Sequence, residues 1–183
     1  ILISFLNSVL GRPEGERIVD VVINDPTNIP ETPLSKASIV DVRCTDQSNN
    51  QYIVEMQVVI QKDYAARAQY YSALALTRQL GKKERYDLLV PVIFVGILDF
   101  ALFKNPDYIS HHFILDNATH ERELQQFEFH FIELPKFTKE IDELENTLSG
   151  ELILDKWIYF LKHADSMQKI PAPLKDSVIQ EAF

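Results

Sequence analysis

The segment KASIVDVRCTDQSNNQYIVEMQVVI, residues 36–60, decides the fold of this chain. Apolar and polar residues alternate on both sides of a polar, asparagine-rich stretch, and this pattern predicts two strands, 38–45 and 51–60, joined by a hairpin turn. The second strand is expected to carry one apolar face made of Tyr52, Val54, Met56, Val58 and Ile60. Glu55 and Gln57 then lie on its other face.

The hairpin brings Asp41 beside that polar face. A turn centred on Asn49 places Asp41 opposite Gln57, whereas a turn centred on Ser48 places it opposite Glu55. Both registers put the polar side chains on one face of the sheet. A carboxylate pair on adjacent strands suits Mg²⁺, which prefers oxygen ligands and keeps several waters. The spacing alone is unspecific, since two solvent-facing acids on a half-buried hairpin would show it as well.

The rest of the chain predicts one mixed α/β layer system, and residues 1–183 are expected to form a single domain whose C-terminal part, about 136–183, is helical. The almost continuous apolar run at 88–98 is typical of a strand covered on both faces. Apolar spacing predicts helices over 1–10, 63–80, 136–147 and 151–163. Further strands are predicted over 18–23 and 124–134.

Composition excludes several classes of protein. The chain has 183 residues, a net charge of −9 and a single cysteine, so a disulfide framework and a cysteine-rich zinc site are excluded. No apolar run is long enough to cross a bilayer, and without targeting features we expect a bacterial cytoplasmic protein. Residues 1–91 hold 10 basic and 11 acidic side chains, against 8 and 16 in residues 92–183. Phosphate contacts are therefore expected from the first half.

Seven stretches of this sequence, taken together and in this order, resemble the recombination-promoting nuclease/putative transposase family of the PD-(D/E)XK nuclease superfamily. The resemblance runs from residue 1 to about residue 163. The stretches are LISFLNSVLG (2–11), KASIVDVRCTD (36–46), YIVEMQ (52–57), RAQYYSALALTRQL (67–80), PVIFVGILDFALF (91–103), FEFHFIELPKF (127–137) and LDKWIYFL (154–161).

The resemblance implies a restriction-endonuclease-like core, a mixed β-sheet flanked by helices, and DNA cleavage that depends on Mg²⁺ or Mn²⁺. Asp41 matches the motif aspartate, and Glu55 matches the acid of the E-x-K element. The main-chain carbonyl of Met56 is the third implied metal ligand. Gln57 stands where that element has lysine, and many members of this family also look like E-x-Q.

Three basic residues are expected to contact DNA. Lys36 precedes the Asp41 strand, and Lys62 follows the second strand closely enough to replace the missing motif lysine in space. Arg67 lies one turn into the next helix and belongs to the R-x2-YY piece of the resemblance. Each also has a plainer explanation as a solvated surface charge.

The resulting hypothesis is a metal-dependent DNA endonuclease acting in recombination or in the mobility of transposase-like elements. A glutamine can orient an attacking water but cannot exchange a proton near neutral pH, so the activity is expected to be weak. Residues 1–12 contain no acid, and because the chain begins at Ile1, we expect residues upstream of it. The alternatives are a catalytically weak or inactive nuclease fold that binds DNA or protein, and an acidic oligomerisation partner. A homodimer would match the pseudo-two-fold symmetry of duplex DNA.

Overall fold

The computed structural model of the chain describes residues 1–25, 27–28, 38–144, 150–175 and 177–182. None of the helices in these ranges is both long and apolar enough to cross a membrane. The helices are α1 (Leu2–Leu10), α2 (Tyr64–Thr77), α3 (Gly150–His163) and α4 (Ser177–Gln180). The strands are β1 (Val21–Asn24), β2 (Thr27–Asn28), β3 (Ser38–Ile39), β4 (Val42–Asp46), β5 (Gln51–Gln57), β6 (Val92–Leu98), β7 (Ile109–Ile114) and β8 (Leu124–Glu133).

Six of these strands form one mixed sheet in the order β1-β4-β5-β6-β8-β7. β5, β6 and β8 are parallel to one another, while β4 pairs with β5, β1 with β4 and β7 with β8 in antiparallel fashion. The crossover from β5 to the parallel β6 runs through α2. β2 and β3 form a separate two-stranded sheet. The predicted fold class, a mixed sheet flanked by helices, is confirmed.

Helices cover both faces of the central strands. On one face, Phe5 of α1 and Trp157 of α3 pack in a single apolar cluster with inward-facing residues of β5, β6 and β8. On the other face, Tyr64 and Ala68 of α2 pack over Phe94 and Phe131. Strand β6 lies between these two layers and is buried at every position, which explains its continuous apolar sequence.

The second predicted strand is too long. Pairing of β5 stops at Gln57, and the following Val58, Val59 and Ile60 are 62, 69 and 71% exposed. Val58 and Ile60 therefore do not form the apolar face expected of them. Met56, assigned to the same face, is 40% exposed. Alternation identifies the faces of a strand, but it does not show where a neighbouring strand stops, and here the chain leaves the sheet to enter α2.

Other boundaries also differ from the sequence expectation. The strand expected at 18–23 begins at Val21, and the sixth sheet strand, β7, was not predicted. The prediction of a helix at 136–147 is wrong over residues 136–144, because the structure has 3₁₀ turns at Leu134–Lys136 and Ile141–Leu144 instead. Lys136 Nζ there donates to two main-chain carbonyls and to a carboxylate, and such tertiary contacts override helix propensity. Residues 145–149 lie outside the described residues.

Glu128 links distant parts of the chain on the α1 side of the sheet. Its carboxylate accepts hydrogen bonds from Arg122 Nη2 at 2.8 Å and from Arg12 Nη2 at 3.3 and 3.4 Å, and lies 3.3 Å from His130 Nε2. Burial raises the pKa of Glu128, but hydrogen bonds from His130 and Arg122 and the charge of Arg12 together lower it to about 2. This ionised carboxylate ties Arg12, two residues after the end of α1, to strand β8.

We expect Glu128→Gln to lower the free energy of unfolding at neutral pH by about 3 kcal/mol, because it leaves partly buried guanidinium groups without a counter-charge. A carboxyl whose pKa is lowered on folding contributes stability above its ordinary pKa and loses it as the pH falls towards the folded value. The difference from wild type should therefore shrink below about pH 4.5. Urea unfolding at several pH values measures it, with the exposed Glu123→Gln as the control. A difference that stays constant down to pH 3 would contradict this role.

Candidate active site

The hairpin register places the two predicted acids opposite each other. Val42 of β4 pairs with Val54 of β5, so the next pair outward is Asp41 and Glu55, as in the alternative with the turn centred on Ser48. Asp41 itself lies in a bend immediately before β4 and is exposed. Its Oδ2 accepts a 2.7 Å hydrogen bond from the main-chain nitrogen of Met56. The bend is therefore tied to the strand that carries the second acid.

Glu55 faces α2 and is only 7% exposed. Its neighbour on β6 is Gly96, where a Cβ atom would lie 3.0 Å from the Tyr64 hydroxyl and 2.9 Å from a ring carbon of Phe131. Glu55 Oε1 accepts a 2.5 Å hydrogen bond from Arg67 Nη2. Glu55 Oε2 is buried without a hydrogen-bond partner. One carboxylate oxygen is thus paired with Arg67, and the other is buried without a partner.

Arg67 connects the side chains of this site. The Nη2 group that binds Glu55 also donates to Gln57 Oε1 at 2.7 Å, and Nη1 donates to Gln61 Oε1. The guanidinium lies over the ring of Tyr64, 4.9 Å from its centroid, and 5.8 Å from that of Tyr71. The first turn of α2 follows β5 so closely that Arg67 reaches back over the end of the strand.

The electrostatics of the site are dominated by burial. Burial raises the pKa of Glu55, the nearby charge of Asp41 raises it further, and Arg67 opposes both. Burial and the charge of Glu55 likewise raise the pKa of Tyr64, whose hydroxyl has no hydrogen-bond partner. A buried carboxylate with one unpaired oxygen is costly unless a cation compensates it. Arg67 supplies part of that compensation.

The donor set fits a hard divalent cation. Asp41 and the free oxygen of Glu55 are hard oxygen donors, and Mg²⁺ typically takes one or two carboxylates and completes its octahedron with water and phosphate oxygens. Throughout the described ranges, no group of three or more His, Cys, Asp or Glu side chains is arranged to hold a metal ion. Any further ligands beside Asp41 and Glu55 would therefore have to be main-chain carbonyls, water or phosphate oxygens.

The three basic residues that were expected to contact DNA differ in how close they lie to Glu55 and Gln57. Arg67 contacts Glu55 and Gln57 directly. Lys62 is exposed on the turn before α2, and Lys36 lies outside the described residues. Sequence reasoning did not single out Gly96, although a glycine inside an apolar strand signals close approach of a neighbouring group.

Comparison with known proteins gives one family. The family model described as PD-(D/E)XK nuclease family transposase matches residues 1–183. No curated protein and no solved structure matches the chain. The match covers every element that builds the site, and the sequence resemblance to this family is confirmed.

Proposed function

Since the chain belongs to the PD-(D/E)XK nuclease family of transposases, we propose that it is a metal-dependent DNA endonuclease that hydrolyses phosphodiester bonds during recombination or element mobility. The family itself supports a nuclease or transposase-like function. The observation that carries the finer proposal is the position of Asp41 opposite Glu55, whose Oε2 is buried and unpaired. A carboxylate oxygen that is buried without a partner calls for an explanation, and a bound cation would supply one.

Asp41, Glu55 and the main-chain carbonyl of Met56 are the proposed ligands of Mg²⁺ or Mn²⁺. When bound, such an ion stabilises negative charge on the scissile phosphate and makes water a better nucleophile at neutral pH. The short hydrogen bond from Met56 to Asp41 holds the two carboxylates in fixed register, so little reorganisation is needed when DNA arrives.

In this proposal, Gln57 and Arg67 together replace the motif lysine: Gln57 orients water, and Arg67 supplies the positive charge. Gln57 offers an amide that orients water, but it carries no charge and no exchangeable proton near neutral pH. Arg67 is permanently charged and binds both Gln57 and Glu55, so it fixes both side chains and places a positive charge beside the phosphate position. With no general base of its own beside the water, the site is proposed to be slow.

Cleavage of supercoiled plasmid DNA at low salt, with Mg²⁺, Mn²⁺ or EDTA, tests the proposal. We expect nicking that requires the metal and is lost in Asp41→Asn, whose shape is unchanged but whose charge is gone. The exposed Asp63→Asn variant is the matched control. Nicking that survives in Asp41→Asn or in EDTA would show that this site is not responsible.

Replacing Arg67 by lysine is expected to reduce the cleavage rate by about 10- to 100-fold, although the charge is kept, because one ammonium group cannot reproduce the three side-chain contacts of the guanidinium. Single-turnover cleavage at saturating enzyme measures the change. Arg85→Lys is the control, since that arginine is exposed and paired with Asp87. Equal rates for Arg67→Lys and wild type would show that the guanidinium contacts of Arg67 do not contribute to cleavage.

One observation favours the second candidate, a nuclease fold that binds DNA without cutting it. The cation that Glu55 contacts is Arg67, and Gln57 adds no charge to the site. Retention of labelled duplex DNA by wild type, with intact plasmid under every metal condition, would support this binding function.

A further inference from the structure

An exposed apolar run, Val58–Ile60, directly follows the proposed active site. Its three side chains are 62, 69 and 71% exposed, and all three are β-branched. Met56, one residue before Gln57, is also 40% exposed. Single exposed apolar residues are ordinary, but a contiguous group of them at the edge of a site marks a contact surface.

The run is held rigidly by the residues of the site. Gln57 Nε2 donates to the carbonyl of Val59 at 3.0 Å, and the carbonyl of Gln57 accepts from the main chain of Asp99 at 3.0 Å. Gln61, the next residue after the run, accepts from Arg67, and its carbonyl accepts from the Tyr64 nitrogen at 3.2 Å. Hydrogen bonds on both sides of the run therefore connect it to Glu55 through Gln57 and Arg67.

We propose that the run Val58–Ile60 is a wedge that enters the base stack of duplex DNA next to the scissile phosphate. The inference rests on the proposed function and adds a substrate preference to it. Apolar side chains that enter between base steps unstack them and kink the duplex. The run begins two residues after Met56, whose main-chain nitrogen binds Asp41, so a duplex whose phosphate lies at the two carboxylates would pass close to the run. The exposed Lys62 beyond the run offers a phosphate contact.

Two consequences follow from a wedge at this position. DNA that is easily opened, at a mismatch or at a flexible pyrimidine–purine step, costs less to unstack and should be the better substrate. The unstacking itself needs no chemistry, so it can be observed in EDTA, where cleavage is blocked.

The test uses a duplex that carries 2-aminopurine, a base that brightens when it is unstacked. In EDTA at low salt, wild type is expected to raise the fluorescence by about threefold, and Ile60→Ser and Val59→Ser should remove most of that rise. The control is Ile23→Ser, which changes the same residue type at the same 71% exposed fraction on edge strand β1. In Mg²⁺, the cleavage ratio of mismatched to fully paired DNA should increase in the wedge variants.

The outcomes separate the wedge from the proposed cleavage. Fluorescence that rises with wild type and falls with Ile60→Ser supports the wedge even when no DNA is cut. Cleavage by wild type without any fluorescence change, or an equal rise with Ile60→Ser, overturns the wedge and leaves the nuclease proposal standing. A dimer that becomes a monomer in Ile60→Ser by light scattering, with unchanged fluorescence, overturns the wedge and assigns the run to a protein contact.

Discussion

Replacing Glu55 by glutamine is expected to reduce metal-dependent DNA cleavage by more than about 100-fold while the chain stays folded. The substitution keeps the shape of the side chain, so the packing between β5 and α2 is preserved. It removes the negative charge of a proposed metal ligand that stands opposite Asp41 and beneath Arg67. Single-turnover plasmid cleavage measures the rate, and circular dichroism with a thermal scan measures the fold.

The raised pKa of Glu55 also predicts where cleavage activity declines at low pH. Burial raises the pKa of Glu55, and only the ionised form can bind a cation well. As the pH falls, cleavage should therefore begin to decline before the pH reaches about 4.3, the pKa of an ordinary glutamate. A pH–rate profile of the wild type shows the position of this decline.

Glu123→Gln is the matched control for Glu55→Gln, since Glu123 is exposed on the loop before β8. It should cleave as wild type does. If Glu55→Gln retains more than a tenth of the wild-type rate, the assignment of Glu55 as a ligand is wrong. If Glu55→Gln does not fold, the proposed metal site is tested by Asp41→Asn instead. Asp41 is exposed, so this substitution should leave the chain folded.

Substituting Gly96 with valine is expected to cause the largest loss of stability among these variants, more than about 3 kcal/mol. A Cβ at this position already lies 2.9 Å from the Phe131 ring and 3.0 Å from the Tyr64 hydroxyl, and valine adds two further methyl groups. Both neighbours are buried, so neither can swing into solvent. Packed interiors relax only partly around such an insertion.

Denaturant unfolding of Gly96→Ala and Gly96→Val, each against wild type, measures this loss. We expect about 1–3 kcal/mol for alanine and more for valine. Gly15→Ala is the control, because a Cβ there meets no atom within 4 Å. If Gly96→Ala is as stable as Gly15→Ala, the crowding around Gly96 is not significant.

Sequence reasoning correctly identified the hairpin because its polar residues occur at matching positions on two strands. It left two registers open, since the loop of either has an odd number of residues, and the observed pairing of Val42 with Val54 selects one of them. The buried run of β6 could also be predicted, because it has no polar interruption and Pro91 lies just before it.

The contacts of Arg67 and the exposure of Val58–Ile60 could not be predicted in the same way. Both depend on where β5 stops pairing and on which face of α2 is turned towards the sheet. Packing against β6 and β8 determines both of these, and the local alternation of residues does not show them. For the same reason, the sequence pattern assigned Ile60 to an apolar face, whereas the structure exposes it.

The proposed catalytic side chains all lie between residues 41 and 67, in one uninterrupted strand–turn–strand–helix unit. Their mutual contacts span few residues along the chain and therefore close small loops, which are the quickest to form during folding. The acidic second half reaches the site through β6, whose Gly96 is the neighbour of Glu55, and through the packing of Phe131 against Tyr64. Substitutions in that half should consequently change the fraction of the protein that is folded rather than the activity of the folded protein. The yield of folded protein and the proposed cleavage rate can therefore be changed separately.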